Sequence, residues 1–446
     1  EQANLSGGNS PNVMDASTFT GAVTMNGQGQ DDTLTGGSGN DVLVGTQGSD
    51  VIDGRGGDDL LYSGNSGSTV YGGEGNDTLI GENGKDFLYG QGGDDQLLGN
   101  NGVDVLDGAG GNDALDGGSG NDSILGGSGI DAVQAIGDVS FTLTNSTLIG
   151  LGTDSLSSIE SAILTGGASN NTLDCFAFSG GTTLNGGGGA DVLIGGSGAN
   201  NFANNQGGST TIINGANSNN INLTPSGFVS LVDNGGLDAL NFSTAATGIT
   251  IDLRQSGGTG QNVDGNGFIV ALNGIFENVV GTEFGDNVFG NTANNVIFGG
   301  LGSDQINAGA GNDILYGGTA GALNGATDAD ASSDIIYGGL GTDQIDGGDG
   351  NDVIFGGTGG IFASSSDQDT SDDIIYGGIG NDQIDAGGGH DVIFGGTATG
   401  ATDTDTGAGN GNDIIYGGLG LDQIDGGTGD DIIFGGTAAG ASDDDN

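Results

Sequence analysis

Between Gly27 and Gln134 the chain divides, without an insertion, into twelve nonapeptides such as GGSGNDVLV (36–44), GGEGNDTLI (72–80) and GGSGNDSIL (117–125). The sixth residue is aspartate in eleven of them, and Ser68 is the exception. Carboxylates repeated at a fixed interval within glycine turns are suited to holding hard cations through oxygen. Other chemistry finds few residues. The single histidine, His390, lies in GGGHDVIF at a turn position where asparagine is usual, and reads as a surface residue. With one histidine and one cysteine, Cys175, neither a nucleophilic triad nor a zinc site can be assembled. Cys175 reads as a small apolar filler, and one cysteine excludes an intrachain disulfide. Carboxylate pairs arise everywhere by repetition, so their proximity carries no catalytic information. The glycine turns lack the lysine and helix of a phosphate loop. Arg55, Lys85 and Arg254 are too few for an anion site. No enzyme is expected.

The elements that must position the aspartates follow from the same period. The eighth residue is aliphatic in all twelve copies: Leu34, Leu43, Ile52, Leu61, Val70, Leu79, Leu88, Leu97, Leu106, Leu115, Ile124 and Val133. Each copy reads as a glycine turn followed by a very short strand whose alternation points the eighth residue inward. Two copies make a flattened coil, and coils stack at about 4.8 Å, so twelve copies predict a rod about 29 Å long. One aliphatic residue per nonapeptide is a thin core against the entropy of ordering the turns. Stacking also brings sixth-position carboxylates of successive coils together, which is repulsive unless a cation lies between them. Carboxylate and carbonyl oxygens select calcium over zinc or copper.

The bulk composition agrees. There are 59 acidic residues against three basic ones, a formal net charge of −56, which opposes compaction unless cations neutralise it. Nucleic acid is excluded as a partner, and so is an anionic membrane surface. No apolar run is long enough to suggest membrane insertion. The 104 glycines and the charge would fit a disordered chain, but the aliphatic period argues for a folded one.

The motif GGxGxDxUx, with U a large aliphatic, resembles the RTX (repeats-in-toxin) calcium-binding parallel β-roll of secreted bacterial proteins, over about two thirds of the chain. The resemblance implies an all-β fold of parallel β-roll or β-solenoid blocks, calcium in the turns between adjacent coils, and folding on reaching a calcium-rich exterior. By position it implies calcium ligation through Asp32, Asp41, Asp50, Asp59, Asp77, Asp86, Asp95, Asp104, Asp113, Asp122 and Asp131. Farther on it implies the same for Asp191, Asp286, Asp304, Asp313, Asp334, Asp343, Asp352, Asp373, Asp382, Asp391, Asp413, Asp422 and Asp431. Ser68, Asn200 and Asn295 replace the carboxylate, so those turns are expected to bind weakly or not at all.

Beyond the first array, 135–185 and 204–280 alternate apolar and polar residues and read as β-rich spacers around a short block at 186–203. Residues 1–27 align without a gap to 160–186, so 1–26 reads as the second half of a spacer motif. From 281 to 446 the array resumes and becomes a larger unit, with starts at Gly299, Gly338, Gly377 and Gly417. Each unit adds a piece (317–337, 356–376, 395–416) with an acidic insert, marked by Asp328 and Asp330, Asp367 and Asp369, and Asp403 and Asp405. The inserts either bind further calcium or solvate the roll. Strands of the DIIY and DVIF type end in Tyr316, Tyr337, Phe355, Tyr376, Phe394, Tyr416 and Phe434, predicting an outward aromatic ladder that marks a contact surface. Three strands per unit would swap faces at every unit unless each insert hides a fourth.

The final GGTAAGASDDDN (435–446) reads as a fourth insert that stops before its strand, and Glu1 opens mid-motif. Two complementary open ends predict head-to-tail association with copies of the same chain, because exposed strand edges invite pairing, and a longer precursor that continues the chain is the rival reading. The expected function is a calcium-binding extracellular structural protein of a bacterium, built into a filament or surface layer. An adhesin or spacer segment of a larger surface protein is one alternative. A secretion and folding module of an exoenzyme or toxin is another.

Overall fold

A glycine turn, an aspartate and a three-residue strand are too short to hold a sheet alone, so every strand must find partners one coil away. In the computed structural model this is what the chain does. The structure describes residues 2–203, 209–215, 217–224, 227–318, 333–347, 352–356, 374–376, 383–386, 392–394, 414–416, 423–426 and 432–434. The regular elements among them are all strands, and no helix is long and apolar enough to cross a membrane. The chain divides into two units, Glu1–Asn217 and Ser218–Asn446.

In the first unit the nonapeptides alternate between two parallel sheets. Leu43 pairs with Leu61 and Leu79 with Leu97 on one, while Leu34 pairs with Ile52 and Leu88 with Leu106 on the other. Two nonapeptides therefore make one coil, as the period predicts. All twelve eighth-position side chains are at most 1% exposed. The fold is thus an all-β parallel β-roll.

At 135–185, read from sequence as an interruption, the ladder continues. Ala132–Ile136 pairs in parallel with Ser161–Thr165, and Ser161–Thr165 with Gly181–Asn185. The extra residues leave the coil as an antiparallel excursion through Phe141–Thr144, Thr147–Ile149 and Thr153–Ser157. Its outermost strand then pairs in parallel with Thr172–Ala177. The roll therefore continues through this segment. The alignment of 1–27 with 160–186 is structural too. Gln2 pairs with Ala22 as Ser161 pairs with Gly181, and Val13 pairs with Thr33 as Thr172 pairs with Val192.

Cys175 sits in the core of this region, and burial, then the charge of Asp174, push its thiol up to about 12. That leaves roughly a thousandfold less thiolate than an ordinary cysteine has. A maleimide is expected to label Cys175 only when the coil opens, so labelling in calcium as fast as in chelator would contradict the packing.

The stretch 204–280 also supplies coils, and in the second unit Phe228–Val232 pairs in parallel with Ile269–Asn273, and Ala239–Asn241 with Asn278–Val280. The described strands settle the parity of the larger repeat by alternating between two sheets. Gln305 pairs with Ile335, Ile335 with Val353 and Val353 with Gln383 on one sheet. On the other, Ile314 pairs with Gln344, Gln344 with Ile374 and Ile374 with Val392. Successive units therefore start on opposite sheets, and two units complete three coils. The aromatic ladder consequently breaks into doublets. Phe298 stacks on Tyr316 at 4.7 Å and Tyr337 on Phe355 at 4.7 Å, and Tyr416 stacks on Phe434 at 4.6 Å. Asp346 faces Tyr316 and Tyr376, and Asp385 faces Phe355 and Tyr416, in the ladder positions between doublets. A continuous stripe was expected because the sequence does not show which sheet receives each strand. The six aspartates at 373, 382, 391, 413, 422 and 431 lie outside the described residues, as do His390, the acidic inserts and 435–446.

Candidate metal centre

Each sixth-position aspartate stands immediately before its strand, where the chain turns from glycine loop to ladder. The described ones are at most 3% exposed. Burial of so many carboxylates demands partners. One oxygen of each has a partner, and it is the backbone. Asp41 N–H donates to Asp59 Oδ1 at 2.7 Å, Asp59 N–H to Asp77 Oδ1 at 2.8 Å, and Asp77 N–H to Asp95 Oδ1 at 2.8 Å. The second edge repeats this through Asp86, Asp104 and Asp122. In the second unit Asp286 N–H donates to Asp304 Oδ1, Asp304 N–H to Asp334 Oδ1, and Asp313 N–H to Asp343 Oδ1. Asp191 and Asp352 take the same place above Asn171 and Asp334. The aspartate therefore clips each coil to the one before it.

The second oxygen is different. Oδ2 of Asp32, Asp50, Asp59, Asp77, Asp86, Asp95, Asp104, Asp113, Asp122, Asp131 and Asp313 is buried and accepts no hydrogen bond. It lies over the first residue of its own repeat. A Cβ built on Gly36 would stand 2.5 Å from Asp41 Oδ2 and 2.6 Å from the Gly54 carbonyl oxygen, one coil farther on. Gly338 gives the same picture with Asp343 Oδ2 and the Gly356 carbonyl, each at 2.5 Å. So a carboxylate and a carbonyl converge beside most of the described first-position glycines, among them Gly54, Gly72, Gly90, Gly108 and Gly299. Asp41 and Asp286 differ in that Oδ2 also accepts their own turn amide, from Gly37 at 2.7 Å and Thr282 at 2.6 Å.

Electrostatics make these groups costly while uncompensated. Burial first, with neighbouring carboxylates adding to it, pushes Asp59, Asp95 and Asp104 up to about 7. Burial raises Asp77, Asp86 and Asp313 to about 6, and Asp113 likewise. A hard divalent cation would supply what the second oxygen lacks. Among the described residues no three carboxylate, imidazole or thiol side chains cluster around one point. Backbone carbonyls would therefore have to complete each shell, which is calcium-like ligation and unlike zinc or copper. The residues fit the ion.

Four members of the ladder escape the nonapeptide pattern. Asp122 N–H donates to Asp154 Oδ1 and Asp131 N–H to Glu160 Oε2. Asn219 N–H donates to Asp238 Oδ1 and Asp238 N–H to Glu277 Oε2. The available signal was an acidic residue two before a buried aliphatic, as in Asp154–Leu156 and Asp238–Leu240, without the glycines. Where asparagine replaces the carboxylate, the amide satisfies the turn. Asn200 Nδ2 donates to the Gly196 and Gly198 carbonyls, and Asn295 Nδ2 to the Glu277 carbonyl.

Asp95→Asn would keep the Oδ1 clip and remove the charge. It is expected to raise the β-sheet signal that remains at limiting calcium, because an unpartnered buried carboxylate costs about 1–3 kcal/mol or more. In saturating calcium it is expected to lower the melting temperature. Order that changes the same way in both conditions would contradict this.

A model of the RTX calcium-binding nonapeptide repeat matches residues 20–43, 35–66, 63–97, 98–133, 176–210, 280–319, 328–360, 368–398 and 407–439. Together the matches take in well over half of the chain. A comparison with curated proteins found no match.

Proposed function

The chain belongs to the RTX calcium-binding nonapeptide repeat family, and on that footing we propose that it is a non-enzymatic extracellular structural protein whose calcium-loaded coils stack end to end into a filament or surface layer. Calcium is its ligand, and proteins with these repeats are typically secreted by bacteria. The ions are held, in this reading, by the second oxygens of the sixth-position aspartates and the carbonyls beside them.

The repetition of the ladder carries the end-to-end part. In each unit coil after coil pairs in parallel with the next, from Leu34 with Ile52 to Leu88 with Leu106 and from Gln305 with Ile335 to Val353 with Gln383. Each coil offers its neighbour the same ladder, so the natural partner of a coil is another coil, in the same chain or in a second copy.

Electron microscopy of the purified chain, with calcium and after its removal, tests the reading. Calcium-dependent rows or sheets are expected. Monodisperse particles under both conditions would overturn assembly while leaving calcium binding intact.

A further inference from the structure

One repeat in the first array departs from the others at two positions at once. In SGNSGSTVY (63–71), serine replaces both the first-position glycine and the sixth-position aspartate. Across 27–134 no other first position lacks glycine and no other sixth position lacks aspartate. The structure explains why the two changes coincide. The first residue of a repeat does not need glycine for its backbone, since Ser63 is not among the residues with positive φ. Glycine is favoured because the carboxylate and the next coil's carbonyl lie close to where a Cβ would stand, as at Gly36. Removing the carboxylate at 68 opens that place, and the Ser63 side chain enters it. Ser63 is fully buried, and its Oγ donates to the Gly81 carbonyl, the counterpart of the Gly54 carbonyl beside Gly36.

The clip between coils survives the exchange. Asp50 N–H donates to Ser68 Oγ at 3.0 Å, as it would to an aspartate, and Ser68 N–H donates to Asp86 Oδ1 at 2.7 Å. Ser68 Oγ donates in turn to the Ser66 carbonyl at 3.1 Å, so neither hydroxyl lacks a partner. A side chain at the first position is not sufficient by itself. Ala308 carries a methyl at the first position of its repeat, yet Oδ2 of Asp313 still accepts no hydrogen bond. What sets 63–68 apart is a hydroxyl donor aimed at the carbonyl, together with the loss of the charge.

We propose that the 63–68 turn is a calcium-free joint in the roll, in which the Ser63 hydroxyl takes the place of the ion and keeps two coils clipped without metal. The proposal rests on the reading that the first-position cradle holds calcium elsewhere. The joint would stay ordered at calcium concentrations that empty its neighbours, giving the array a place from which to refold.

Calcium per chain, counted by native mass spectrometry on the full chain, tests the proposal. Ser63→Gly with Ser68→Asp is expected to gain one ion. Ser68→Asp alone is expected to gain none, because the Ser63 side chain still fills the cradle. The reverse exchange elsewhere, Gly99→Ser with Asp104→Ser, is expected to lose one ion while keeping its circular dichroism in calcium. An unchanged count in the first double variant, or a gain in the single one, overturns the joint. A parent chain that binds no calcium at all fails the underlying reading instead, and the two failures are distinguishable.

Discussion

Stripping calcium from the protein is expected to abolish its fold, with loss of the β-sheet signal in far-ultraviolet circular dichroism and recovery on adding the ion back. The reason lies in the second carboxylate oxygens. Eleven of them, from Asp32 to Asp313, are buried without a hydrogen-bond partner among the described residues. Without a cation each folded turn confines charge away from water and close to its neighbours. With one, binding free energy becomes folding free energy. At a hundredfold excess of free ion over its dissociation constant, each site adds about 2.7 kcal/mol. Four such sites would match the entire stability of an ordinary domain, about 5–15 kcal/mol. The aliphatic column cannot substitute, because it offers one fully buried side chain per nine residues. A spectrum unchanged after exhaustive dialysis against chelator would refute the dependence.

The second large effect is an inverted pH response in the calcium-free protein. An aspartate in an unfolded chain titrates near 3.9. In the folded chain burial places Asp59, Asp95 and Asp104 at about 7, and Asp77, Asp86, Asp113 and Asp313 at about 6. The folded state therefore holds protons that the unfolded state has lost, and stability falls as pH rises through this window. The raised groups contribute fully below about pH 4, and that contribution is gone above about pH 7. Calcium-free protein at low ionic strength is expected to be more ordered at pH 4 than at pH 8, opposite to ordinary acid denaturation. Calcium affinity should run the other way, tightening as the same carboxylates lose their protons. A calcium-free protein that unfolds on acidification between pH 7 and pH 4 would show that burial does not govern these groups.

Much of this molecule is legible without coordinates because its instructions are local and repeated. An aliphatic residue at every eighth position, a carboxylate at every sixth and glycine between them dictate a short strand, a turn and a coil of two repeats. They dictate little else that could compete. The parallel register, the buried column from Leu34 to Val133 and the cation preference all follow from that period. The same logic exposed the twin of residues 1–27 at 160–186, since two stretches with one pattern pair in the same register with the coil that follows.

Three matters depended on stacking, which no single repeat contains. Asp154, Glu160, Asp238 and Glu277 join the carboxylate column although no glycine turn announces them, because the column is defined by what lies one coil away. The aromatic residues of the second unit pair into doublets because a three-strand unit laid on a two-sheet coil alternates sides. Most of all, only the tertiary structure separates the two oxygens of each aspartate. One oxygen clips a backbone amide of the preceding coil, and the other is left buried beside a carbonyl. Sequence determines that a carboxylate stands there, but its division of labour is set by the coil above and the coil below.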